Sequence, residues 1–585
     1  MKKRGKLTIA LMVLLLAGIY YYITLPAFNI HASETWFFLM ALVVTVLIYY
    51  TIRKRPQQDA YEEGRDFRNI FTRRIRPERG AYRNDKGFRS ILTVLIILGV
   101  VYLVGALLSS PIINAKKYQK LMTVEEGAFA EDVEELSFEK IPILDRDTAA
   151  ILGDRKMGSM VDMVSQFEAD DIYSQINYKD NPVRVSPLKY ASPIKWLTNH
   201  RSGIPAYIRI NMATQSTELV KLEKGMKYTT SEYFNRNIYR HLRFAHPTYI
   251  YGELSFEIDD QGVPYWIAPV KKYNIGLFGG ETVGKVVLCN AITGETKTYH
   301  IENVPQWVDR AYSADLLVQL FDYYGTLKHG FFNSVLSQKD CLETTDGYNY
   351  LALEDDVWMY TGVTSVNGDQ SNVGFVLSNQ RTMETKYYKV EGATEAAAMS
   401  SAEGQVQNLK YQATFPLLLN ISDEPTYFIA LKDDAGLVKK YAMVNVQKYQ
   451  IVAIGDSVSQ CEENYLELLM SSGVKKEEED TREVKTITGR ITKIAQAVLE
   501  GTSHYYLMVE GSDAIFDLSV VDFLDVVRCE VGQEITMEYK EDEKANTVMS
   551  LTIDGVTQGK SEEEAKAADP TEVIPLEDEA KEVTE

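Results

Sequence analysis

Three apolar stretches near the start of the chain, each free of charge, constrain its architecture more than any other feature. Leu7 to Ala27, Thr35 to Ile52 and Ser90 to Ile113 contain no Asp, Glu, Lys or Arg. A helix rises 1.5 Å per residue, so about 20 such residues cross the ~30 Å hydrocarbon layer of a bilayer. Three transmembrane helices are therefore expected within residues 1–113. A cleaved signal peptide is the alternative for the first, since Met1-Lys2-Lys3-Arg4 precedes it. Its apolar run is longer than a signal core, and no small-x-small cleavage site closes it.

The loops set the expected orientation. Residues 53–89 carry twelve Lys and Arg, and the N-terminus adds Lys2, Lys3, Arg4 and Lys6. Basic flanks stay cytoplasmic, which makes the chain a multi-pass cell-membrane protein with a cytoplasmic N-terminus and everything after Ile113 outside. Residues 1–112 hold 16 of the 62 basic and 7 of the 82 acidic residues, leaving 46 against 75, or −29, for the outer region. A nucleic-acid surface needs the opposite sign, so no nucleic-acid partner is expected. Cys289, Cys341, Cys461 and Cys529 are far apart and have no zinc-like spacing, so the outer region must fold by its cores rather than by disulfides.

The expected fold class is α+β and multidomain. The membrane part, with the basic loop 53–89, is followed by a membrane-proximal α+β domain at 114–250. A repeated α+β domain spans 251–460, a helical segment and charged linker 461–482, a barrel 483–555 and a disordered acidic tail 556–585. The repeat rests on two pieces. Phe256 to Val270 and Phe428 to Val444 both place two apolar runs around an Asp-Asp-x-Gly turn, and Leu353 to Val363 is a shortened version. Glu295 to Ile301 and Glu384 to Val390 each end a strand-turn-strand pattern that precedes a helical run, at an offset of 89 residues. Five strand-like runs between 485 and 553, with a helix at Val520 to Val527 after the third, follow the order of an OB-fold barrel.

Val286 to Tyr299 (VVLCNAITGETKTY) resembles the strand-turn signature of PepSY domains, small α+β modules found outside bacterial membranes and in peptidase propeptides. The likeness covers about 60 residues per unit, a length that rests on the repeat. The second copy, Arg381-Thr382-Met383-Glu384, lacks the glycine. The resemblance implies a module of the cell envelope that binds or restrains proteins and has no catalytic residues.

Candidate catalytic motifs lack their context. Gly279 to Lys285 has the glycine and lysine spacing of a phosphate loop, but Val286 replaces the Mg²⁺-binding hydroxyl and a strand follows where a helix is needed. Ile451 to Ser459 resembles the nucleophile block of GDS-type hydrolases, with Ser457 as nucleophile. Only His504 follows it, outside an Asp-x-x-His pattern. The seven histidines form no metal motif, and neither a metal nor a cofactor is expected. Aromatic residues cluster at Trp266, Trp307, Tyr312, Tyr348, Tyr350, Trp358 and Tyr360. Core packing is one use for such rings. A ligand groove lined by Trp266, Trp307 and Trp358 between the repeats is the other. The expectation is thus a non-catalytic binding or scaffold protein anchored in the lipid bilayer, whose partner is an envelope protein or wall polymer. A serine hydrolase using Ser457 and an accessory subunit of a transport complex are the alternatives.

Overall fold

The computed structural model describes residues 14–53, 85–133, 135, 141–353, 355–365, 371–474, 484–499, 502–520, 522–541, 545–553 and 556–559. Most of the basic loop, much of the charged linker and nearly all of the acidic tail lie outside the described residues. The chain divides into two units, Met1–Leu468 and Leu469–Glu585.

Of the three expected membrane helices, two meet the length and composition of a span among the described residues. The described part of the first apolar stretch is helical over Leu14–Thr24 (α1), and the start of that stretch lies outside the described residues. Helices α2 (Ser33–Arg53) and α3 (Lys86–Ser109) are long enough. Helix α3 stops before the expected Ile113 because Ser110 turns extended, with φ −72° and ψ 157°, and Pro111 opens a new helix, α4 (Pro111–Tyr118). Proline lacks the N–H that would continue α3 but suits a first helical turn.

Beyond these helices the first unit repeats one plan four times: an antiparallel four-strand meander followed by a helix. Helix α5 (Arg146–Gly158) precedes module I, which comprises β1 (Ser174–Tyr178), β2 (Asn181–Tyr190), α6 (Pro193–Asn199), β3 (Ile204–Asn211), β4 (Thr217–Met226) and α7 (Ile238–Ala245). Module II has β5 (Ser255–Ile258), β6 (Pro264–Ile275), β7 (Gly279–Asn290), β8 (Thr296–His300) and α8 (Ala314–Thr326). Module III has β9 (Asn349–Leu353), β10 (Asp356–Ser365), β11 (Gly374–Asn379), β12 (Thr385–Tyr388) and α9 (Glu395–Gln405). Module IV has β13 (Leu417–Ile421), β14 (Glu424–Lys432), β15 (Val438–Asn445), β16 (Val452–Gly455) and α10 (Val458–Ser471). Consecutive strands pair in each sheet, and Glu125–Gly127 adds a parallel edge beside β12.

The turn from third to fourth strand explains why the sequence repeats. In module II, Asn290 Oδ1 accepts the Ile292 and Thr293 N–H groups at 3.0 and 2.9 Å, and Thr293 Oγ1 accepts the Glu295 N–H. Gly294 takes φ +75°. Asn379 and Thr382 repeat these bonds in module III around Met383 at φ +67°. Asn211 and Thr214 repeat them in module I around Gln215 at φ +61°. Asn445 makes the same two bonds in module IV. Asparagine suits the position because its short amide mimics a backbone turn. The Asp-Asp pairs are less regular. Asp259 and Asp433 each accept two N–H groups within their turns, but the first joins strands one and two of module II and the second joins strands two and three of module IV. They share turn chemistry and occupy different places in the repeat.

Modules II and III pack through α8. Ser313 caps it by accepting the Leu316 N–H, and Leu317, Leu320 and Phe321 recur at the spacing that lines one helix face. These residues share a core with Ile267, Val286 and Leu288 of module II and Met359, Val363 and Val376 of module III. Burying each such side chain contributes about 1.5–3 kcal/mol. The tip of the β6–β7 hairpin docks where α3 ends: Ser109 Oγ accepts the Leu277 and Phe278 N–H groups at 2.8 and 3.1 Å, and the Phe278 ring meets Trp36 and Tyr102.

The second unit is a closed five-strand barrel. Its strands are β17 (Lys485–Leu499), β18 (Thr502–Val509), β19 (Phe516–Ser519), β20 (Glu534–Lys540) and β21 (Asn546–Ile553). Strand β17 pairs with β18 and β20, β18 with β19, β20 with β21, and parallel pairing of β19 with β21 closes the ring. That is the expected strand order, with a 3₁₀ turn at Leu524–Arg528 in place of the expected helix. Leu507, Phe516, Met537 and Leu551 fill its core.

Candidate functional site

A cavity of about 400 Å³ opens where modules I, II and III meet the segment that leads into module IV. Module I supplies Gln175 on β1 and Arg184 on β2, and module II supplies Glu253, Leu254, Arg310 and Asp315. Module III supplies Tyr348, Asn349, Tyr350 and Gln380. Asp145 and Arg146 come from the start of α5, and Phe415 from the segment before β13.

Arg184 dominates the site. It lies among buried residues of β2, flanked by Val183 and Val185, and is itself buried. Its Nη2 donates to Gln175 Oε1 at 3.2 Å, and its Nε has no hydrogen-bond partner. Gln175 Nε2 has none either. Desolvation pushes the guanidinium pKa down to about 10, so it remains charged at neutral pH. A buried cation without a bonded carboxylate is costly to the fold, and it retains full attraction for an incoming anion.

The acidic groups of the cavity already have partners. Asp145 caps α5 through the Thr148 N–H and pairs with Lys432. Glu253 pairs with Arg310 at 3.2 Å, and Asp315 bonds Tyr348. Behind Arg310 lies a buried acidic pair. Glu257 accepts the N–H groups of Asp309 and Arg310 and the Ser255 hydroxyl, while Asp309 accepts the Asn177 N–H. Burial pushes Glu257 up to about 7 even though the Asp309 N–H, the Ser255 hydroxyl and Arg310 pull it down, and burial followed by Glu257 raises Asp309.

The three tryptophans proposed from sequence are not gathered, because strand alternation separates them. Tyr265 faces the core shared by modules II and III and packs at a tilt on Trp307, with ring centroids 5.1 Å apart. Trp266, its neighbour on β6, faces the other way. It is fully buried, and its Nε1 donates to the Tyr228 carbonyl. Trp358 precedes Met359, a member of that same core, and so faces away from it on β10. None of the three lines the cavity, whereas Tyr348 and Tyr350 from the same aromatic-rich region do.

Gly279 to Lys285 forms the start of β7, and Lys285 lies over the Tyr249 ring. Ser457 Oγ accepts the Gln460 N–H at the start of α10, a helix-capping bond. His504 bonds Asp517 at 2.8 Å within the barrel. All four cysteines are unpaired. Among the described residues, no group of three His, Cys, Asp or Glu could hold a metal.

Sequence reading missed Arg184, Gln175 and Arg310. In Tyr178 to Leu188 the alternation Val183-Arg184-Val185 marks Arg184 as solvent-facing, and only the packing of modules II and III over that face buries it. A scan against protein-family models matched none, and a search of curated proteins found no match.

Proposed function

We propose that this chain is a membrane-anchored, non-catalytic binding protein of the bacterial cell envelope, and that its cavity holds a peptide carboxylate of a partner. The observation that carries the reading is Arg184, a buried guanidinium with an unused Nε–H beside the unused Gln175 amide. A guanidinium fork matches a carboxylate with two parallel hydrogen bonds. A phosphate dianion fits less well, because Asp145, Glu253 and Asp315 also line the cavity. Tyr348, Tyr350 and Phe415 offer apolar surface for the rest of a peptide.

The PepSY resemblance supports the same reading, since the Asn-x-x-Thr turn that carries it occurs in modules I, II and III. The twelve Lys and Arg of residues 53–89 support an outer position for the modules. A peptide carboxylate there belongs either to an envelope protein or to the peptide stems of a wall polymer.

Thermal melting of the detergent-solubilised full chain tests this with four probes: a tripeptide acid, its C-terminal amide, a muropeptide and inorganic phosphate. The expected result is a Tm increase of a few degrees with the tripeptide acid or the muropeptide, none with the amide or phosphate, and loss of the increase in Arg184→Gln. Which acid acts distinguishes the two sources. An equal increase in the variant, or no increase with either acid, overturns the reading.

A further inference from the structure

On the flank of module I a second surface stands out. Ile194 and Leu197 on α6 are 72 and 63 % exposed, and Phe234 in the turn before α7 is 66 % exposed. They are contiguous: Trp196 packs on Tyr233 at 4.7 Å and on Phe234 at 6.1 Å, and Arg236 donates to the His200 carbonyl. Tyr239 and Phe244 on α7 continue the patch at 48 and 41 % exposure. Phe234 also holds φ +52°, a left-handed conformation that a bulky side chain rarely adopts.

The surroundings of the patch are basic. Lys195, Arg201, Arg236 and Arg240 lie on or beside these elements, whereas the nearby Glu232 is buried and bonded to Tyr190 and Trp196. This is a local reversal of charge in an outer region of net charge −29.

The patch is also continuous with the apolar helices. Arg243 Nε donates to the Leu25 carbonyl just beyond α1, and Phe28 N–H donates to the Pro247 carbonyl. Phe244 packs on Tyr21 and Tyr22, and the Arg240 guanidinium lies over the Tyr22 ring. Helix α7 is therefore held beside the end of α1 and the segment that leads into α2.

We propose that α6, the Tyr233–Arg236 turn and α7 rest on the outer leaflet of the membrane. Ile194, Leu197 and Phe234 enter the boundary between headgroups and acyl chains, and the surrounding Lys and Arg face anionic lipid headgroups. Interfacial elements of this kind combine apolar insertion with electrostatic attraction. The contact fixes module I against the membrane and so sets the height and tilt of the cavity above it. The proposal rests on the reading that α2 and α3 cross the bilayer.

The test uses the full chain in vesicles of phosphatidylethanolamine and phosphatidylglycerol, with an environment-sensitive fluorophore on Phe234→Cys, Ile194→Cys, Val44→Cys in α2 or Lys224→Cys in β4. Spin-labelled lipids report depth. The expected result is shallow quenching of at least twofold at both 234 and 194, deep quenching at 44 and none at 224. Replacing phosphatidylglycerol with phosphatidylcholine should weaken quenching at 234 and 194 and leave 44 unchanged. Quenching at 44 without quenching at 234 and 194 overturns the interfacial contact and leaves the membrane reading intact. Absence of quenching at 44 overturns the membrane reading and the contact together.

Discussion

Arg184 illustrates a residue whose cost to the fold and value to the site come from the same atoms. Its charge is buried without a bonded carboxylate, so removing the charge while keeping a donor for Gln175 should not harm the fold. Arg184→Gln is expected to melt at or up to a few degrees above the parent without ligand, and to lose the ligand-dependent increase; calorimetry with and without the tripeptide acid measures both. Glu257 and Asp309 provide a pH signature. Burial raises both carboxyls, Glu257 to about 7, so the folded chain keeps a proton that the unfolded chain releases near its ordinary value of ~4.3. Their contribution to stability is full below that value and is lost as pH rises through about 7. Tm should fall between pH 5 and pH 8, and Asp309→Asn, which removes the like charge beside Glu257, should lessen that fall in a melting series across the same range.

At the scale of elements, two turns carry testable weight. The Asn290 side chain accepts two backbone N–H groups in the β7–β8 turn, and Asn211 and Asn379 do the same in their modules. Asn290→Ala, Asn211→Ala and Asn379→Ala should each destabilise the first unit by about 1 kcal/mol in denaturant titration, since each loses a local acceptor. Near equality among the three would mark one turn used three times. Gly279 matters for a different reason. A Cβ there would lie 2.2 Å from the Ser109 carbonyl oxygen and 2.3 Å from the Tyr118 hydroxyl. Gly279→Ala should therefore cost about 1–3 kcal/mol by forcing the hairpin away from α3, while Lys285→Ala should leave the fold intact. The glycine that completes a phosphate-loop pattern in sequence serves close packing in the structure.

For the whole molecule, orientation and division into units are open to direct measurement. With Cys529 replaced by serine and the buried native cysteines left in place, Lys224→Cys should react with an impermeant thiol reagent on intact cells. Arg65→Cys in the basic loop should react only after permeabilisation, as the positive-inside rule requires. The barrel has its own closed sheet and its own core. A chain ending at residue 474 should keep the ligand-dependent Tm increase of the full chain, because every residue lining the cavity lies before it.

Local chemistry made several features readable from sequence. Two of the apolar helices follow from runs without charge, the barrel order from the spacing of alternating strands, and one pair of modules from the matching Glu295 to Ile301 and Glu384 to Val390 segments. These depend on neighbours a few residues apart. The fourfold plan did not emerge, because Asp259 and Asp355 mark the first hairpin of modules II and III whereas Asp433 marks the second hairpin of module IV. The tryptophan groove also depended on a fact the sequence lacks, namely which faces of different sheets meet; alternation along β6 and β10 turns Trp266 and Trp358 away from the core that Trp307 joins. Arg184 shows the limit most clearly. Its flanking valines predict a solvent-facing cation, and only tertiary packing, which covers both faces of β2, turns it into a buried charge beside a cavity.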